Sequence, residues 1–187
     1  LVTGVGGMVI TNNKKLADLV RSLIFHGRDN RYLKLEDDDT PTKEVIDARF
    51  RFLYPGYSFR GTEVEAALGL VELENYGMML AKRQANARYL NEKLNQVWPQ
   101  EYMDNHAFMM FPYFPVPKRD KLILYLERNG ITTRTIMPLI NQPYIKAKGK
   151  FRVSQDILDY GLLIGCHQDL TKKDLDYMVK TIKSFND

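Results

Sequence analysis

The chain has 187 residues, a formal net charge of +4 and a sequence pI near 9.0, with 44% hydrophobic and 27% charged residues. This length suffices for one domain or two small ones, and the composition is that of a soluble globular protein. Because the lysines and arginines are spread out and no apolar run reaches membrane-spanning length, we expect neither a nucleic-acid partner nor a membrane segment. The single cysteine, Cys166, excludes an intrachain disulfide and favours a reducing cytoplasm.

The N-terminal stretch is apolar and rich in glycine. Residues 1–2 and 8–10 are predicted to form buried strand ends around Gly4-Val5-Gly6-Gly7. A glycine cluster more often marks tight packing than a phosphate cradle, and the spacing of a dinucleotide fingerprint is not met. Since the chain begins at Leu1, directly inside this apolar stretch, we expect it to be part of a longer protein.

A first helix is predicted after Asn12 or Asn13, either of which can cap it. Gly27 is predicted to end this helix, with His26 in its last turn, where the helix dipole favours a cation. A helix-end histidine without a chemical role is the simpler interpretation of His26. The apolar residues that recur at helical spacing are Leu16, Leu19, Val20, Leu23 and Ile24.

A long polar connection covers residues 29–52 and contains four consecutive acids at 36–39. The spaced ligands and glycine of a calcium loop are missing, so the acids predict a solvated loop rather than a metal site. A connection of this length is often functional, and we interpret it as a lid or an inter-subunit arm. A short helix is expected within residues 43–52.

Residues 54–73, YPGYSFRGTEVEAALGLVEL, are the stretch around which the chain is organised. Thr62 and Glu65 have the spacing of a capping box, which predicts a helix start. The preceding loop places Ser58 and Arg60 at this helix N-terminus, where backbone N–H groups and the dipole favour an anion. A turn before a buried helix remains the alternative. The apolar residues at helical spacing are Val64, Ala67, Leu68 and Val71.

The second half of the chain alternates predicted helices and strands. Residues 75–77 (Asn-Tyr-Gly) predict a break, followed by a second helix over 78–94, and we place a domain boundary near Tyr76. Strands are then predicted over 107–114, 131–137 and 162–166, and helices over 119–129, 154–160 and 169–185. This alternation predicts an α/β domain.

Five residues in this half carry specific structural predictions. Pro112 inside a strand predicts an edge position or a bulge. Ser154 is a candidate N-cap, and Thr171 with Asp174 has the spacing of a capping box. Because neighbouring residues on a strand point to opposite faces, Cys166 and His167 are not expected to act as a nucleophile and its base. A buried thiol is therefore the prediction for Cys166.

Two motifs in the order expected for one family give the sequence a resemblance. Residues 56–74, GYSFRGTEVEAALGLVELE, resemble the segment GYNYRMTELQAALGLAQLE of the DegT/StrS family of pyridoxal-phosphate enzymes acting on nucleotide sugars. Residues 1–29 are similar to the segment that follows the cofactor residue in that family. The resemblance implies an α/β fold, namely the C-terminal part of a fold-type I pyridoxal-phosphate-dependent transferase. Residues 1–75 would end the large cofactor-binding domain, and residues 76–187 would form the small C-terminal domain.

The resemblance also implies the cofactor, pyridoxal 5′-phosphate, and the residues that contact it. The family lysine that binds the cofactor covalently would lie two positions before Leu1, so these 187 residues alone are expected to be inactive. Ser58 stands where the family usually has an asparagine that reaches into the partner subunit and binds the cofactor phosphate. Arg60 matches the family arginine, and an inter-subunit salt bridge is its alternative role. Val5 replaces a glutamate that is usual in the family.

Four further residues are candidates for substrate binding by the same resemblance: Tyr57, Arg134, Asn141 and His26. Arg134 is a candidate contact to a substrate carboxylate or diphosphate, and an exposed strand arginine is the alternative. Residues 142–144 (Gln-Pro-Tyr) match the family, whereas Ile140 takes the place of a family histidine beside Asn141. Packing at an interface is the alternative for Tyr57.

The implied function is amine transfer, from a donor such as glutamate, to a keto group of a nucleotide-linked deoxysugar. Such sugars serve polysaccharides, cell-surface glycans or antibiotics, and the family's enzymes are cytoplasmic homodimers. One alternative is a 3-dehydratase acting on a nucleotide-linked 4-keto-6-deoxysugar, in which a histidine replaces the cofactor lysine. Another is a non-catalytic regulatory member of the family, which the departures at Val5 and Ser58 would favour.

Overall fold

The structure is a computed structural model that describes residues 2–29, 43–48, 50–115, 118–137, 139–146 and 149–185. The chain divides into two compact units, Leu1–Glu74 and Asn75–Asp187. That these units are the end of a large domain and a small domain stays a prediction. The acids at 36–39, and with them the predicted lid or arm, lie outside the described residues.

The described residues of the first unit form two helices and the start of a third. Helix α1 spans Lys14–Ile24, α2 spans Lys43–Ala48, and α3 spans Glu63–Lys93. Asn13 is the residue that caps α1, because its side-chain oxygen accepts the backbone N–H of Leu16 at 3.2 Å.

Helix α3 is a single helix of 31 residues, which corrects the predicted break at residues 75–77. A glycine inside a helix costs only about 1 kcal/mol relative to alanine, so Gly77 alone does not interrupt it. Further along, α3 is held by long-range contacts: Arg83 Nε donates to Gln168 Oε1 at 2.8 Å, and Asn86 Nδ2 donates to the carbonyl of His167 at 2.7 Å. These contacts favour continuation of the helix over the local turn signal.

The second unit places helices around a small antiparallel sheet. Its elements are α4 (Gln100–Asn105), β1 (Met110–Tyr113), α5 (Arg119–Arg128), β2 (Thr133–Thr135), a 3₁₀ turn (Leu139–Asn141), α6 (Arg152–Tyr160), β3 (Leu162–Gly165) and α7 (Lys172–Lys183). The strand order is β1-β3-β2, with β3 antiparallel to both neighbours. Pro112 pairs with Leu163 on the edge strand β1, which confirms the predicted edge position.

The hydrophobic core of the second unit combines residues of α3, α5, α7 and the sheet. Leu90, Phe111, Leu126 and Ile164 are fully buried in it. Cys166 is also fully buried, as predicted, and its thiol donates to the carbonyl of Arg83 at 3.4 Å. Burial raises the pKa of this thiol to about 12.

Two of the predicted helix starts have different outcomes. The capping box at Thr171 is confirmed, since its hydroxyl and N–H both contact the Asp174 carboxylate and the N–H of Asp174 reaches the Thr171 hydroxyl. The prediction of Ser154 as an N-cap is wrong, because α6 begins at Arg152 and Phe151 occupies the cap position.

The predicted burial of the N-terminal strand ends is also wrong. Met8 and Ile10 are 85% and 87% exposed, and no strand of the described residues lies beside them. The backbone N–H of Val2 instead donates to the Glu72 carboxylate at 3.0 Å. The start of α3 is exposed as well, including Val64, Leu68 and Val71, so the expected buried helix face is not buried in this unit. No helix in the described part of the chain has the length and apolarity needed to span a membrane.

Candidate functional site

The loop before α3 is held against the end of α1 by main-chain hydrogen bonds. The N–H groups of Tyr57 and Phe59 donate to the carbonyls of Leu23 and Ile24 at 2.7 and 3.0 Å. The N–H of His26 donates in the reverse direction to the carbonyl of Tyr57 at 2.8 Å. The loop thereby satisfies carbonyl groups that a helix end leaves without intrahelical partners.

Two glycines permit this close approach. A Cβ atom on Gly27 would lie 1.8 Å from the carbonyl oxygen of Tyr54, and one on Gly56 would lie 2.1 Å from the backbone nitrogen of Gly27. Both distances are far shorter than any tolerated contact, and the obstacles are backbone atoms that cannot rotate away. Gly27 also has a φ of +78°, which favours glycine. This Gly27–Gly56 crossing fixes the loop against α1.

The end of α1 differs from its prediction at His26. The helix ends at Ile24 with Phe25 as its C-cap, and His26 follows with a φ of +61°. The N–H of His26 donates to the loop carbonyl of Tyr57 and does not continue the helix, so His26 lies outside the last turn. Its ring makes an edge contact with the Phe25 ring at 5.9 Å between centroids.

Ser58 and Arg60 lie close together on this loop, as a shared role would require. An Nη atom of Arg60 is 3.5 Å from Ser58 Oγ, and both residues are exposed. The guanidinium carbon of Arg60 is 4.7 Å from the centre of the Phe25 ring. A hydroxyl and a guanidinium side by side are two donors suited to a phosphate.

Tyr57 and Phe59 alternate with Ser58 and Arg60 along the same loop and form a second pair. Their rings stack in parallel, 5.0 Å apart and inclined by 4°, and both are exposed. Residues two positions apart in an extended chain share a face, which accounts for both this pair and the Ser58–Arg60 pair.

A cleft of about 1310 Å³ lies within the first unit. Its wall includes the glycine-rich start of the chain, α1, and the loop with Ser58 and Arg60. Val5, the position of the usual family glutamate, also lines it. Of the described residues, neither Tyr57 nor His26 lines this cleft, so the structure separates these two candidates from Ser58 and Arg60 there.

The helix N-terminus next to Arg60 already holds an anionic group. The Glu65 carboxylate accepts the backbone N–H of Thr62, as the capping-box spacing predicts. The hydrogen bonds from Thr62 lower the pKa of this carboxyl below its ordinary value of 4.5. The donors that this loop leaves for an anion are therefore the side chains of Ser58 and Arg60 more than this helix end.

The remaining two candidates, Arg134 and Asn141, belong to the second unit. Arg134 is the central residue of β2, paired with Leu163, and its side chain is exposed. Asn141 ends the 3₁₀ turn, and its side chain lies outside what the structure describes.

Sequence reasoning missed three features of the site. The crossing pairs Gly27 with Gly56, whereas the sequence pattern indicated only a helix end and a turn. Phe25 supports Arg60, and no local pattern distinguishes Phe25 from a core phenylalanine. Arg21 lines the cleft, with its Nη1 atom 3.4 Å from Asp18 Oδ1, and no sequence pattern pointed to it.

Solved structures share this fold. An aminotransferase named TlmJ from Streptoalloteichus hindustanus superimposes with a TM-score of 0.78 at 18% identity, over 97% of this chain and 48% of that one. A DegT DnrJ EryC1 StrS aminotransferase from Brucella abortus gives a TM-score of 0.70 at 24% identity, over 94% of this chain and 45% of that one. The predicted α/β fold class is confirmed.

Three curated proteins have related sequences. The chain is 27% identical to the lipopolysaccharide biosynthesis protein RfbH of Salmonella typhimurium, over 99% of this chain and 48% of the relative. It is 28% identical to the GDP-perosamine synthase of Caulobacter vibrioides, over 97% and 48%. A GDP-4-keto-6-deoxy-D-mannose 3-dehydratase of Escherichia coli O55:H7 is 21% identical, over 98% and 51%.

The chain spans about half the length of the curated relatives it matches. A match to the DegT/DnrJ/EryC1/StrS aminotransferase family extends over residues 1–183, nearly the whole chain. This agrees with the two motifs that carry the resemblance in the sequence. The chain therefore belongs to the DegT/DnrJ/EryC1/StrS aminotransferase family.

Proposed function

We propose that this chain is the C-terminal half of a pyridoxal-phosphate-dependent aminotransferase that acts on a nucleotide-linked keto-deoxysugar, with an amino donor such as glutamate. The observation that carries the proposal is the family match over residues 1–183 together with the paired donors Ser58 and Arg60 on a loop fixed by main-chain hydrogen bonds. The relatives named as a GDP-perosamine synthase and a GDP-linked dehydratase support a nucleotide sugar as the substrate class.

The residues present fit the phosphate of the cofactor. Ser58 and Arg60 supply a hydroxyl donor and a permanent cation 3.5 Å apart, and both side chains are exposed and line a cleft. A guanidinium forms short, charge-assisted hydrogen bonds with phosphate oxygens. Pyridoxal phosphate supplies an electron sink for the reaction when bound. The part of this chain is to hold and orient its phosphate.

The exposed position of this pair also supports a homodimer in which each loop completes the site of the other copy. The apolar surface of the first unit, including Met8, Ile10 and Val64, supports a larger fold that covers it. Sedimentation of the full-length protein is expected to give a dimer, and a compact monomer would remove the basis for shared sites. A cytoplasmic location, which the single buried cysteine favours, is part of the same proposal.

The phosphate contact is tested by comparing two ligands on the full-length protein. In Arg60→Ala, affinity for pyridoxal phosphate is expected to fall by about 10- to 100-fold, the effect of losing hydrogen bonds to a charged group. Affinity for pyridoxal, which lacks the phosphate, should stay within about twofold. Ser58→Ala should show a smaller loss of the same kind, and Arg128→Ala, an exposed arginine on α5, serves as the control. Equal losses for both ligands would contradict a phosphate contact.

The reaction is tested by following nitrogen. Incubation with ¹⁵N-glutamate and a nucleotide-linked 4-keto-6-deoxysugar should yield a sugar that carries the label and one equivalent of 2-oxoglutarate. Loss of the C3 hydroxyl without label in the sugar would instead identify a 3-dehydratase. The similarity to the Escherichia coli dehydratase favours that second candidate. Absence of pyridoxal phosphate binding by the full-length protein would favour a non-catalytic member.

A further inference from the structure

Phe25 contacts both members of the proposed phosphate site. Its backbone forms an isolated antiparallel bridge with Ser58, and its ring centre lies 4.7 Å from the guanidinium carbon of Arg60. Phe25 is also the C-cap of α1, with its N–H donating to the carbonyl of Ser22 at 3.1 Å. One residue at the end of α1, Phe25, therefore lies beside both proposed phosphate donors.

We infer that Phe25 is a positioning residue for the phosphate site, holding the guanidinium of Arg60 beside the hydroxyl of Ser58 before an anion arrives. The inference rests on the proposed function, because it concerns the same two side chains. It adds a residue that the sequence motifs do not mark.

The residues on either side of Phe25 hold the backbone of Ser58 in place. The main-chain hydrogen bonds from His26 to Tyr57 and from Phe59 to Ile24 lie on either side of the Phe25–Ser58 bridge. Ser58 is thus held between two main-chain hydrogen bonds although its side chain is exposed. A hydroxyl on such a segment has only its own side-chain rotation left to adjust.

The ring of Phe25 restricts Arg60. An exposed arginine has many rotamers, and their loss opposes ligand binding. A guanidinium attracted to the face of a phenyl ring keeps its N–H groups directed outward in its own plane, where they can donate to an anion. The contact with Phe25 therefore lowers the entropy that Arg60 loses when it binds phosphate, without using its donors.

A second guanidinium next to the same ring provides a matched control. The guanidinium carbon of Arg28 lies 5.0 Å from the centre of the Phe25 ring, 5.5 Å from that of Phe50 and 5.9 Å from that of Phe52. Phe50 thus contributes an aromatic–arginine contact through Arg28 rather than through Arg60. Phe50→Leu removes a contact of the same kind but leaves the proposed positioning of Arg60 intact.

The position of Arg60 is measured directly by NMR on the full-length protein. Ring currents of Phe25 should shift the side-chain protons of Arg60 upfield, and Phe25→Leu should return them to the values of a free arginine. Phe25→Tyr, which keeps an aromatic ring, should preserve the shift, as should Phe50→Leu. Unshifted Arg60 protons in the native protein, or a shift that survives Phe25→Leu, would overturn the inference. This measurement does not involve the cofactor, so it is decided independently of the proposed function.

The consequence for binding is measured with a double-mutant cycle and pyridoxal phosphate. Phe25→Leu is expected to weaken affinity about two- to fivefold, the effect of an exposed cation–π contact, and Phe25→Tyr should restore it. In an Arg60→Ala background Phe25→Leu should have no further effect. Equal effects in both backgrounds would show that Phe25 does not act through Arg60 and would overturn the inference. If Arg60→Ala itself leaves affinity unchanged, the proposed phosphate contact fails, while the NMR result still decides whether Phe25 orders Arg60.

Discussion

The two units of the chain are stabilised in different ways. In the second unit the large apolar side chains, such as Leu90 and Phe111, are buried in one cluster. Among the described residues of the first unit, the buried ones are small or polar: Ser22, Gly27, Asp29 and Ala48. The first unit positions its loop through main-chain hydrogen bonds and the Gly27–Gly56 crossing. A loop can therefore be fixed by main-chain contacts without large buried side chains in its own unit, and its side chains then stay exposed.

The largest effect on stability is expected when two leucines of the same helix are compared. Leu90 on α3 is fully buried, whereas Leu70 on the same helix is 65% exposed. Leu90→Ala should lower the free energy of unfolding by about 2–5 kcal/mol because it opens a cavity in a packed core. Leu70→Ala should change it by no more than about 0.5 kcal/mol.

Urea unfolding of the 187-residue chain, followed by helical circular dichroism, measures both variants, because Leu70 lies in the first unit and Leu90 in the second. Comparable losses for the two leucines in this chain by itself would mean that the exposed face of α3 is covered even without the larger fold proposed above, and the contrast between the units would then be wrong.

An intermediate effect is expected from the crossing in the first unit. Gly56→Ala places a Cβ about where the Gly27 backbone lies, and should lower the local opening free energy by at least about 1–3 kcal/mol, the usual cost of overpacking. Hydrogen exchange of the Tyr57 and Phe59 amides measures this loss. Gly61→Ala is the control on the same loop, because a Cβ added there would meet no other atom within 4 Å. Unchanged exchange in Gly56→Ala would remove the crossing as the element that fixes the loop.

The smallest change is expected at two carboxylates in the first turn of a helix, one in each unit. Hydrogen bonds from Thr171 lower the pKa of Asp174 below its ordinary 3.8, and those from Thr62 lower the pKa of Glu65 below 4.5. A carboxyl whose folded pKa is lowered stabilises the fold above its unfolded pKa, and this stability is lost as pH falls through the folded pKa. Both carboxyls should therefore titrate, by carboxyl-carbon NMR, at a pH below the ordinary value.

Thr171→Ala should move the titration of Asp174 back toward 3.8 and cost about 0.5–2 kcal/mol, the usual range for loss of an N-cap side chain. Glu65 is the internal reference in that variant, since its partner Thr62 is untouched. An unchanged pKa of Asp174 in the Thr171→Ala variant would contradict the capping box.

Features set by local chemistry were predictable from the sequence. The Thr171–Asp174 box, the edge position of Pro112 and the buried Cys166 each follow from residue type and near neighbours. Each depends only on residues a few positions apart in the sequence or on the alternation of side chains along a strand. The alternation of helices and strands predicted an α/β domain, and the family resemblance extended the prediction to the C-terminal part of a fold-type I transferase.

Features set by contacts between distant residues were not predictable. The continuity of α3 through Gly77 depends on contacts of Arg83 and Asn86 with residues more than 80 positions away. The crossing depends on two glycines 29 positions apart (56 − 27) meeting backbone to backbone. The position of Phe25 beside Arg60 follows from that crossing, so it could not be predicted from the sequence either.

The buried thiol of Cys166 has a practical consequence for studying this protein. With a pKa of about 12 and no exposed surface, it carries almost no thiolate at neutral pH and should resist alkylating dyes while the protein is folded. A Val97→Cys variant, at a position that is 96% exposed, would then take up a fluorophore or spin label selectively. One label on each copy of a dimer would report the distance between the two copies without removal of the native cysteine.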